Sequence, residues 1–219
     1  MSNMKMYHFF GFNNTIVKEL FKRNNFINYK IYNQVDIKNL LIKDLVNTIE
    51  FKKNIDNVIL YSWGKLYPAS INNQTFEEKL EGFIFNYLIP VSLIEHLNAS
   101  EFSFNFIYIS SESAKKGSFD SNYASQKAAT EMFIREYQLL NKKSILVGVA
   151  PSMIIDSGMT QRRNDIENVF KAEKLHPKKR LLYTNELVDL IEYLMHSNTY
   201  ISNTIIEMNG GKFARMKIK

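Results

Sequence analysis

Residues 104–127 read Phe104-Asn-Phe-Ile-Tyr-Ile-Ser-Ser-Glu-Ser-Ala-Lys-Lys-Gly-Ser-Phe-Asp-Ser-Asn-Tyr-Ala-Ser-Gln-Lys127, and this stretch decides the fold. Its first six residues predict a buried strand, Phe104–Ile109, which breaks at Ser110-Ser111. A loop with Gly117 follows, and the Ala-, Glu- and Gln-rich segment 124–140 predicts a helix. A strand followed at once by a helix is one half of the repeating unit of parallel sheets.

The same alternation extends in both directions from this stretch. Apolar runs predict four further strands, at 6–10, 29–32, 57–61 and 204–208, and a fifth at 145–149. Helical periodicity predicts helices at 14–23, with Asn13 or Asn14 as cap, and at 37–50, 76–97 and 185–195. The order favours a single α/β domain over 1–219, a Rossmann-type three-layer αβα sandwich with a mostly parallel sheet.

The predicted strands are followed by residues that break them. Gly11, Ser62, Ser111 and Pro151 each follow a strand. In an open parallel sheet, ligands bind outside the carboxyl ends of the strands, where the strand order reverses. We therefore expect these breaks to meet at one edge and to form the functional site.

Composition excludes several classes of protein. The chain has 219 residues, 45% hydrophobic and 23% charged, as in soluble globular proteins, and no cysteine for disulfides or thiolate metal sites. It shows no secretory signal, and no apolar run approaches the roughly 20 residues needed to cross a bilayer. We expect a cytoplasmic protein with neither a membrane nor a metal as partner.

The net charge of +6 comes from basic residues that are scattered along the chain, with Lys178-Lys179-Arg180 as the densest cluster. Such a distribution does not predict nucleic-acid binding.

The pair Tyr123 and Lys127 is the main chemical signal. Residues four apart lie on one face of a helix, so the phenol and the ammonium can point into one site. A nearby ammonium favours phenolate and lowers the tyrosine pKa from its usual value near 10, which suits proton transfer near neutral pH. The spacing alone is weak evidence, because Tyr61 and Lys65 repeat it where a strand is expected to end in a loop.

With its context, the pair resembles the short-chain dehydrogenase/reductase family. The matching segments cover nearly the whole chain: Ile109-Ser-Ser111, Gly117, Tyr123-Ala-Ser-Gln-Lys127, Asn57–Gly64, Phe85-Asn86-Tyr87, Val149-Ala-Pro151-Ser152, Ser157-Gly-Met159 and Glu207-Met-Asn-Gly-Gly211. The resemblance implies an NAD(P)-dependent oxidoreductase that interconverts a carbonyl and a secondary alcohol, with the dinucleotide carrying the hydride. A sugar, a lipid and an acyl-thioester carbonyl all remain possible substrates.

The resemblance also implies a catalytic role for each member of a tetrad. Tyr123 protonates the substrate oxygen, and Lys127 lowers the tyrosine pKa and binds the nicotinamide ribose. Ser111 fixes the carbonyl, although counting back from the tyrosine also allows Ser110. Asn86 holds a water for proton relay, and the apolar residues around it in the sequence favour a buried position.

The dinucleotide site implied by the resemblance is less regular. Its residues are Gly11, Asn14, Thr15, Ile16, Asp36, Ser62, Trp63, Gly64, Tyr123, Lys127, Pro151, Ser152 and Ile154. Of the family's Gly-x-x-x-Gly-x-Gly loop only Gly11 survives. We expect Asn13 and Asn14 to recover part of the left-handed geometry, whereas Val17 puts a β-branched side chain where helix and strand pack closely. Asp36 contacts the ribose or the adenine, or merely caps the next helix, so NAD and NADP both remain open.

Three further expectations concern the rest of the chain. The short interval from Gly11 to Gly64 indicates that the N-terminal half has lost a strand–helix unit. Residues 157–180 resemble a charged substrate lid, and the two long helices would form a homodimer or homotetramer. The eroded glycine loop also favours an alternative, a non-catalytic relative that serves as a binding or regulatory subunit.

Overall fold

A computed structural model of the chain describes residues 4–11, 13–33, 42–67, 70–161 and 166–214. Six strands form one sheet: β1 (Lys5–Phe10), β2 (Tyr29–Tyr32), β3 (Asp56–Tyr61), β4 (Phe104–Ile109), β5 (Ile145–Pro151) and β6 (Thr204–Met208). Their order is β2-β1-β3-β4-β5-β6, and each neighbouring pair is parallel. The predicted α/β class is confirmed, with a sheet that is parallel throughout the described residues.

The helices lie between the strands in the sequence. They are α1 (Thr15–Arg23), α2 (Ile42–Asn47), α3 (Phe76–Phe83), α4 (Ile89–Ala99), α5 (Ser113–Lys116), α6 (Ser121–Glu136), α7 (Gly158–Gln161), α8 (Ile166–Leu175) and α9 (Thr184–His196). Between β1 and β3, the described residues form only α1, β2 and α2. The N-terminal half is thus shortened, as predicted. Of the predicted helix 37–50, the part before Ile42 lies outside the described residues.

Two hydrophobic cores lie on opposite faces of the sheet. Adjacent strand residues alternate between them: Phe10 joins a core with α2, α4 and α6, while Phe9 joins one with α1 and α9. On β3, Tyr61 joins the core of Phe10 and Leu60 joins the core of Phe9. Because both faces are covered by helices, the strands read as nearly continuous apolar runs rather than alternating ones. This three-layer arrangement leaves the carboxyl edge of the sheet for function.

The predicted helix 76–97 is interrupted by a π-helical turn, Ile84–Leu88, between α3 and α4. A π turn changes the pairing of backbone carbonyls, and here phenols from the sheet satisfy two of them. The Tyr61 hydroxyl donates to the Phe85 carbonyl at 2.6 Å, and the Tyr108 hydroxyl donates to the Asn86 carbonyl at 2.9 Å. The turn therefore fixes Phe85 and Asn86 against the sheet.

Helix α6 ends four residues earlier than its predicted end at Leu140, because two asparagines take its terminal backbone groups. Asn203 donates to the carbonyls of Ile134 and Tyr137 at 3.0 and 2.8 Å. Asn98 accepts from the Leu140 amide at 2.8 Å. These side chains lie far away in the sequence, so local periodicity does not report them.

Candidate active site

Ser111 and Tyr123 meet at the carboxyl edge of the sheet. Tyr123 lies in the first turn of α6, where its amide donates to the capping carboxylate of Asp120 at 3.0 Å. The Ser111 side chain, just after the end of β4, acts on this phenol and lowers its pKa, so the two side chains lie near each other. The Ser110 hydroxyl instead donates to Glu131 Oε1 at 2.6 Å. Of the two candidate serines, Ser111 is therefore the one beside the tyrosine.

Lys127 lies one helical turn after Tyr123 and is almost completely buried. Its ammonium donates to the Ile109 carbonyl at 2.9 Å and lies 4.5 Å from the centroid of the Tyr108 ring. The distance from Nζ to the Tyr123 ring centroid is 5.7 Å. Burial lowers the pKa of Lys127 to about 7, and the Glu131 carboxylate opposes that shift.

The pKa of Tyr123 differs from the expectation. Burial raises it to about 12, while the Ser111 side chain acts in the opposite direction. The prediction that Lys127 lowers this pKa is therefore wrong for this structure. The cost of removing a phenolate from water dominates, and the Lys127 ammonium donates to the Ile109 carbonyl.

Asn86 is fully buried in the π turn and has protein partners at each of its side-chain polar atoms. Its Oδ1 accepts from the Lys65 amide at 3.1 Å, and its Nδ2 donates to the Lys65 carbonyl at 2.8 Å. Its own carbonyl accepts from Tyr108 and from the Thr130 hydroxyl, at 2.9 and 2.8 Å. Asn86 thus clamps the loop that follows β3, and its role in holding a water stays a prediction.

Gly64 lies within that clamped loop and beside Lys127. A Cβ atom on Gly64 would lie 3.4 Å from Asn86 Oδ1 and 3.6 Å from Lys127 Nζ. Asn86 therefore determines how closely the loop passes over the lysine.

The remaining loop glycine, Gly11, is enclosed by side chains. Its φ is +105°, and a Cβ would lie 2.9 Å from Ser62 Oγ and 3.0 Å from Trp63 Cδ1. Asn14 has an extended backbone with φ −84°, and the described residues include no positive φ at Asn13 or Asn14. The prediction that these asparagines adopt left-handed geometry is wrong. Asn14 acts through its side chain instead.

The Asn14 side chain joins the first turn of α1 to the end of β3. Its Oδ1 accepts from the Val17 amide at 2.9 Å, which caps the helix, and its Nδ2 donates to Ser62 Oγ at 2.6 Å. The Ser62 hydroxyl in turn donates to the Phe10 carbonyl at 2.6 Å. Hydrogen bonds thus hold this edge together where the family's loop has glycines.

Helix α1 directs its amino end at the same edge. Thr15 and Ile16 occupy its first turn, where backbone N–H groups lack partners within the helix and attract anions. Val17 is fully buried in the core with Phe9, so its branched side chain does not obstruct the edge. Phe12 lies outside the described residues.

Trp63 packs in the core below Gly11. Its ring centroid lies 5.2 Å from that of Phe10 and 5.5 Å from that of Phe85, both edge-on. Its indole Nε1 is buried with no hydrogen-bond partner among the described residues.

The segment after β5 closes the edge on its other side. The Ser152 amide donates to the Met208 carbonyl at 3.0 Å, and Ile154 pairs with Leu182 in a parallel bridge. The Gly158 amide donates to the Thr15 hydroxyl at 3.2 Å, which joins the start of the predicted lid to α1. The structure thus brings Pro151, Ser152 and Ile154 to the edge with the other predicted residues. Asp36 lies outside the described residues.

Sequence reasoning missed Glu131. This buried carboxylate lies one turn after Lys127 on α6 and lines a cavity of about 340 Å³ between α6 and β6, together with Ser111 and Glu207. Its spacing of four residues from Lys127 was the available signal.

Among the described residues, no three His, Asp or Glu side chains group as a metal site. In the same part of the chain, no helix has both the length and the apolar character to cross a membrane.

Solved structures of other proteins share this fold. A short-chain dehydrogenase family protein from Francisella tularensis matches with a TM-score of 0.77 at 18% identity, covering 97% of this chain and 100% of that one. A short-chain dehydrogenase/reductase from Brucella melitensis matches with a TM-score of 0.75 at 16% identity, covering 96% of this chain and 97% of that one. ElxO with NADP bound matches with a TM-score of 0.71 at 17% identity, covering 97% of this chain and 100% of that one. No protein-family model and no curated protein matches the sequence.

Proposed function

We propose that this chain, which has the fold of the short-chain dehydrogenases/reductases, is an NAD(P)-dependent oxidoreductase that interconverts a carbonyl and a secondary alcohol. The observation that carries the proposal is the placement of Tyr123 and Lys127 together at the end of β4: Lys127 Nζ lies 5.7 Å from the Tyr123 ring centroid and donates to the Ile109 carbonyl, two residues before Ser111. An acid and a hydrogen-bond donor at one point are what protonation of a carbonyl oxygen requires. Structures of the same fold contain NADP or NADPH.

The residues at this edge fit a dinucleotide. The amino end of α1 offers the Thr15 and Ile16 backbone N–H groups to a pyrophosphate, and the positive φ of Gly11 turns the chain from β1 toward that helix. In this proposal Ser62 to Gly64 and Pro151 to Ile154 would border the dinucleotide, and Lys127 would donate to a ribose hydroxyl. When bound, the dinucleotide supplies or accepts the hydride.

The protein's own residues manage the proton. In the reductive direction, Tyr123 gives its phenol proton to the substrate oxygen, and Ser111 donates a hydrogen bond to the same oxygen. The phenolate left behind is stabilised by the Ser111 hydroxyl, which lowers the pKa of Tyr123. Asn86 is a positioning residue in this scheme, because it fixes the loop of Gly64 beside Lys127.

The test compares Tyr123→Phe with Tyr193→Phe, a tyrosine that is 47% exposed on α9. We expect Tyr123→Phe to abolish carbonyl reduction across a panel of sugar, lipid and acyl-thioester carbonyls, and Tyr193→Phe to leave it unchanged. Affinity for NADH and NADPH, followed through Trp63, the only tryptophan, should be nearly the same in all three proteins. Turnover that survives Tyr123→Phe would remove the assignment.

The same titration separates the proposal from a non-catalytic role. If neither dinucleotide changes the Trp63 fluorescence at millimolar concentration, the chain is a binding or regulatory relative rather than an enzyme. A response to only one of them identifies the cofactor as NAD or NADP.

We further propose that the chain forms a homodimer or homotetramer through the long helices. Phe76, Leu80 and Met132 leave 73%, 45% and 57% of their surfaces exposed on α3 and α6. Apolar faces of this kind mark candidate contacts between copies. Light scattering coupled to size-exclusion chromatography gives the mass, and a monomer at all concentrations would contradict the proposal.

A further inference from the structure

Lys127 is surrounded mainly by neutral groups. Its ammonium contacts the Ile109 carbonyl at 2.9 Å and faces the Tyr108 ring at 4.5 Å, and the residue is 2% exposed. A carbonyl and an aromatic face stabilise a cation, but they replace only part of the hydration that a buried ammonium loses. The lysine therefore needs a further source of negative potential to remain charged at neutral pH.

Glu131 is placed to supply that potential. It follows Lys127 by one turn on α6, and its Oε1 accepts the Ser110 hydroxyl at 2.6 Å. Ser110 directly follows Ile109, whose carbonyl accepts the Lys127 ammonium. The ammonium and the carboxylate are therefore bonded to two consecutive residues at the end of β4, Ile109 and Ser110.

Other charged groups also face Glu131. On α6, Arg135 Nη2 lies 3.8 Å from Glu131 Oε2. Glu207 on β6, and Glu112 and Lys115 near α5, line the same cavity of about 340 Å³. Lys115 forms an ion pair with Glu207 at 2.7 Å, and Lys116 and Lys212 pair with Glu112. Glu131 receives a hydrogen bond from Ser110 and retains its interaction with Lys127.

We propose that Glu131 is a positioning residue that favours the ammonium form of Lys127 through electrostatic attraction within α6. The functional consequence, a larger charged fraction of the lysine when the dinucleotide and substrate bind, rests on the proposed function. The electrostatic coupling itself does not. Burial lowers the pKa of Lys127 and Glu131 raises it, so loss of the carboxylate lets the lysine lose its proton at a lower pH.

The test measures the protonation of Lys127 directly. Protein labelled with carbon-13 at lysine Cε is titrated by NMR, and the Lys127 signal is identified by its loss in Lys127→Arg. We expect Glu131→Gln to lower the titration midpoint of Lys127 by about one pH unit. The matched control is Glu136→Gln, which removes the same charge from an exposed position on the same helix and should leave the midpoint in place.

A second variant keeps the proposal falsifiable if Glu131→Gln does not fold. Ser110→Ala removes the hydroxyl that stabilises the Glu131 carboxylate, so it should shift the Lys127 midpoint in the same direction by a smaller amount. An unchanged midpoint in the folded Glu131→Gln protein, or in Ser110→Ala if that is the only folded variant, overturns the proposal. An equal shift in Glu136→Gln does so as well.

The failure of this inference is distinguishable from failure of the proposed function. If Lys127 shifts as expected but no dinucleotide binds, the coupling stands and the enzymatic role fails. If the dinucleotide binds and reduction occurs, Glu131→Gln should also move the pH dependence of dinucleotide affinity to lower pH, in parallel with the NMR midpoint. Enzyme activity that persists with an unmoved midpoint contradicts the coupling alone.

Discussion

The side-chain amide of Asn14 donates a 2.6 Å hydrogen bond to the hydroxyl of Ser62, while its carbonyl oxygen caps α1. One asparagine therefore joins the first helix to the loop that follows β3, beside the enclosed Gly11. This contact stands where the family's loop would contain glycines, and it stabilises the candidate site through side chains rather than through backbone freedom.

We expect Asn14→Ala to lower the free energy of unfolding by about 1–2 kcal/mol, because it removes both a helix cap and the link to Ser62. Asn13→Ala is the control, since Asn13 is exposed and should change stability by less than about 0.5 kcal/mol. Urea unfolding measures both values. Equal losses in the two variants would show that the Asn14 contacts contribute nothing particular.

A second prediction concerns the two glycines after β6. Gly210 and Gly211 both have positive φ, +60° and +83°, but a Cβ on Gly210 would lie 2.4 Å from the His176 ring, whereas none of the described residues lies within 4 Å of one on Gly211. Gly211→Ala should therefore cost about 1 kcal/mol from backbone strain alone. Gly210→Ala should cost about 1–3 kcal/mol more because of the clash.

The clash can be removed to check its origin. Adding His176→Ala to Gly210→Ala should recover a large part of the extra loss, and adding it to Gly211→Ala should recover none. Thermal or urea unfolding of the four variants completes the comparison. If Gly210→Ala is no worse than Gly211→Ala, the close approach of His176 does not exist in solution.

The sheet was predictable from the sequence because helices cover both faces. Such strands have apolar side chains on both sides, so the predicted bounds of β4 match the structure residue for residue. The predicted bounds of the edge strands β2 and β6 match as well, although these strands are only partly buried. The π turn at Asn86 was not predictable, since its carbonyls are satisfied by Tyr61 and Tyr108 from the sheet. Local periodicity carries no information about partners that fold back from elsewhere.

In the candidate site, too, the features set by local sequence were predictable and those set by distant partners were not. The Tyr123–Lys127 pair follows from helical spacing, which is local. The choice of Ser111 over Ser110 depends on which way each side chain points after β4. The Ser110 hydroxyl points to Glu131, which leaves Ser111 as the serine near Tyr123. The raised pKa of Tyr123 could not be predicted, because its main cause is burial by the assembled fold.

His8 gives a pH-dependent prediction. It is fully buried on β1, with Nδ1 3.1 Å from the Tyr32 hydroxyl and Nε2 3.4 Å from Asn57 Oδ1. Burial lowers its pKa from 6.5 to about 4. The unfolded chain therefore binds a proton below about pH 6.5 that the folded protein does not accept until about pH 4. Stability should fall as the pH decreases through this window.

The loss at the acidic end of the window should reach roughly 3 kcal/mol. Urea unfolding at a series of pH values measures it, and His8→Gln is the comparison because glutamine keeps polar atoms without titrating. We expect the variant to be less stable near neutral pH but to lose less on acidification. Parallel pH dependences for the two proteins would mean that other groups cause the acid sensitivity.

The last prediction separates the two serines by activity. Ser111 lies near the Tyr123 phenol and lowers its pKa, so Ser111→Ala should lower kcat/KM about 10²–10³-fold by removing a donor to the substrate oxygen. Ser110 bonds Glu131 instead, and Ser110→Ala should cost less than about tenfold, through the charge of Lys127. Steady-state kinetics on a carbonyl that the wild-type protein reduces measures both. A larger loss in Ser110→Ala would reverse the assignment, because it would mean that the hydroxyl bonded to Glu131 in this structure is the one that turns to the substrate.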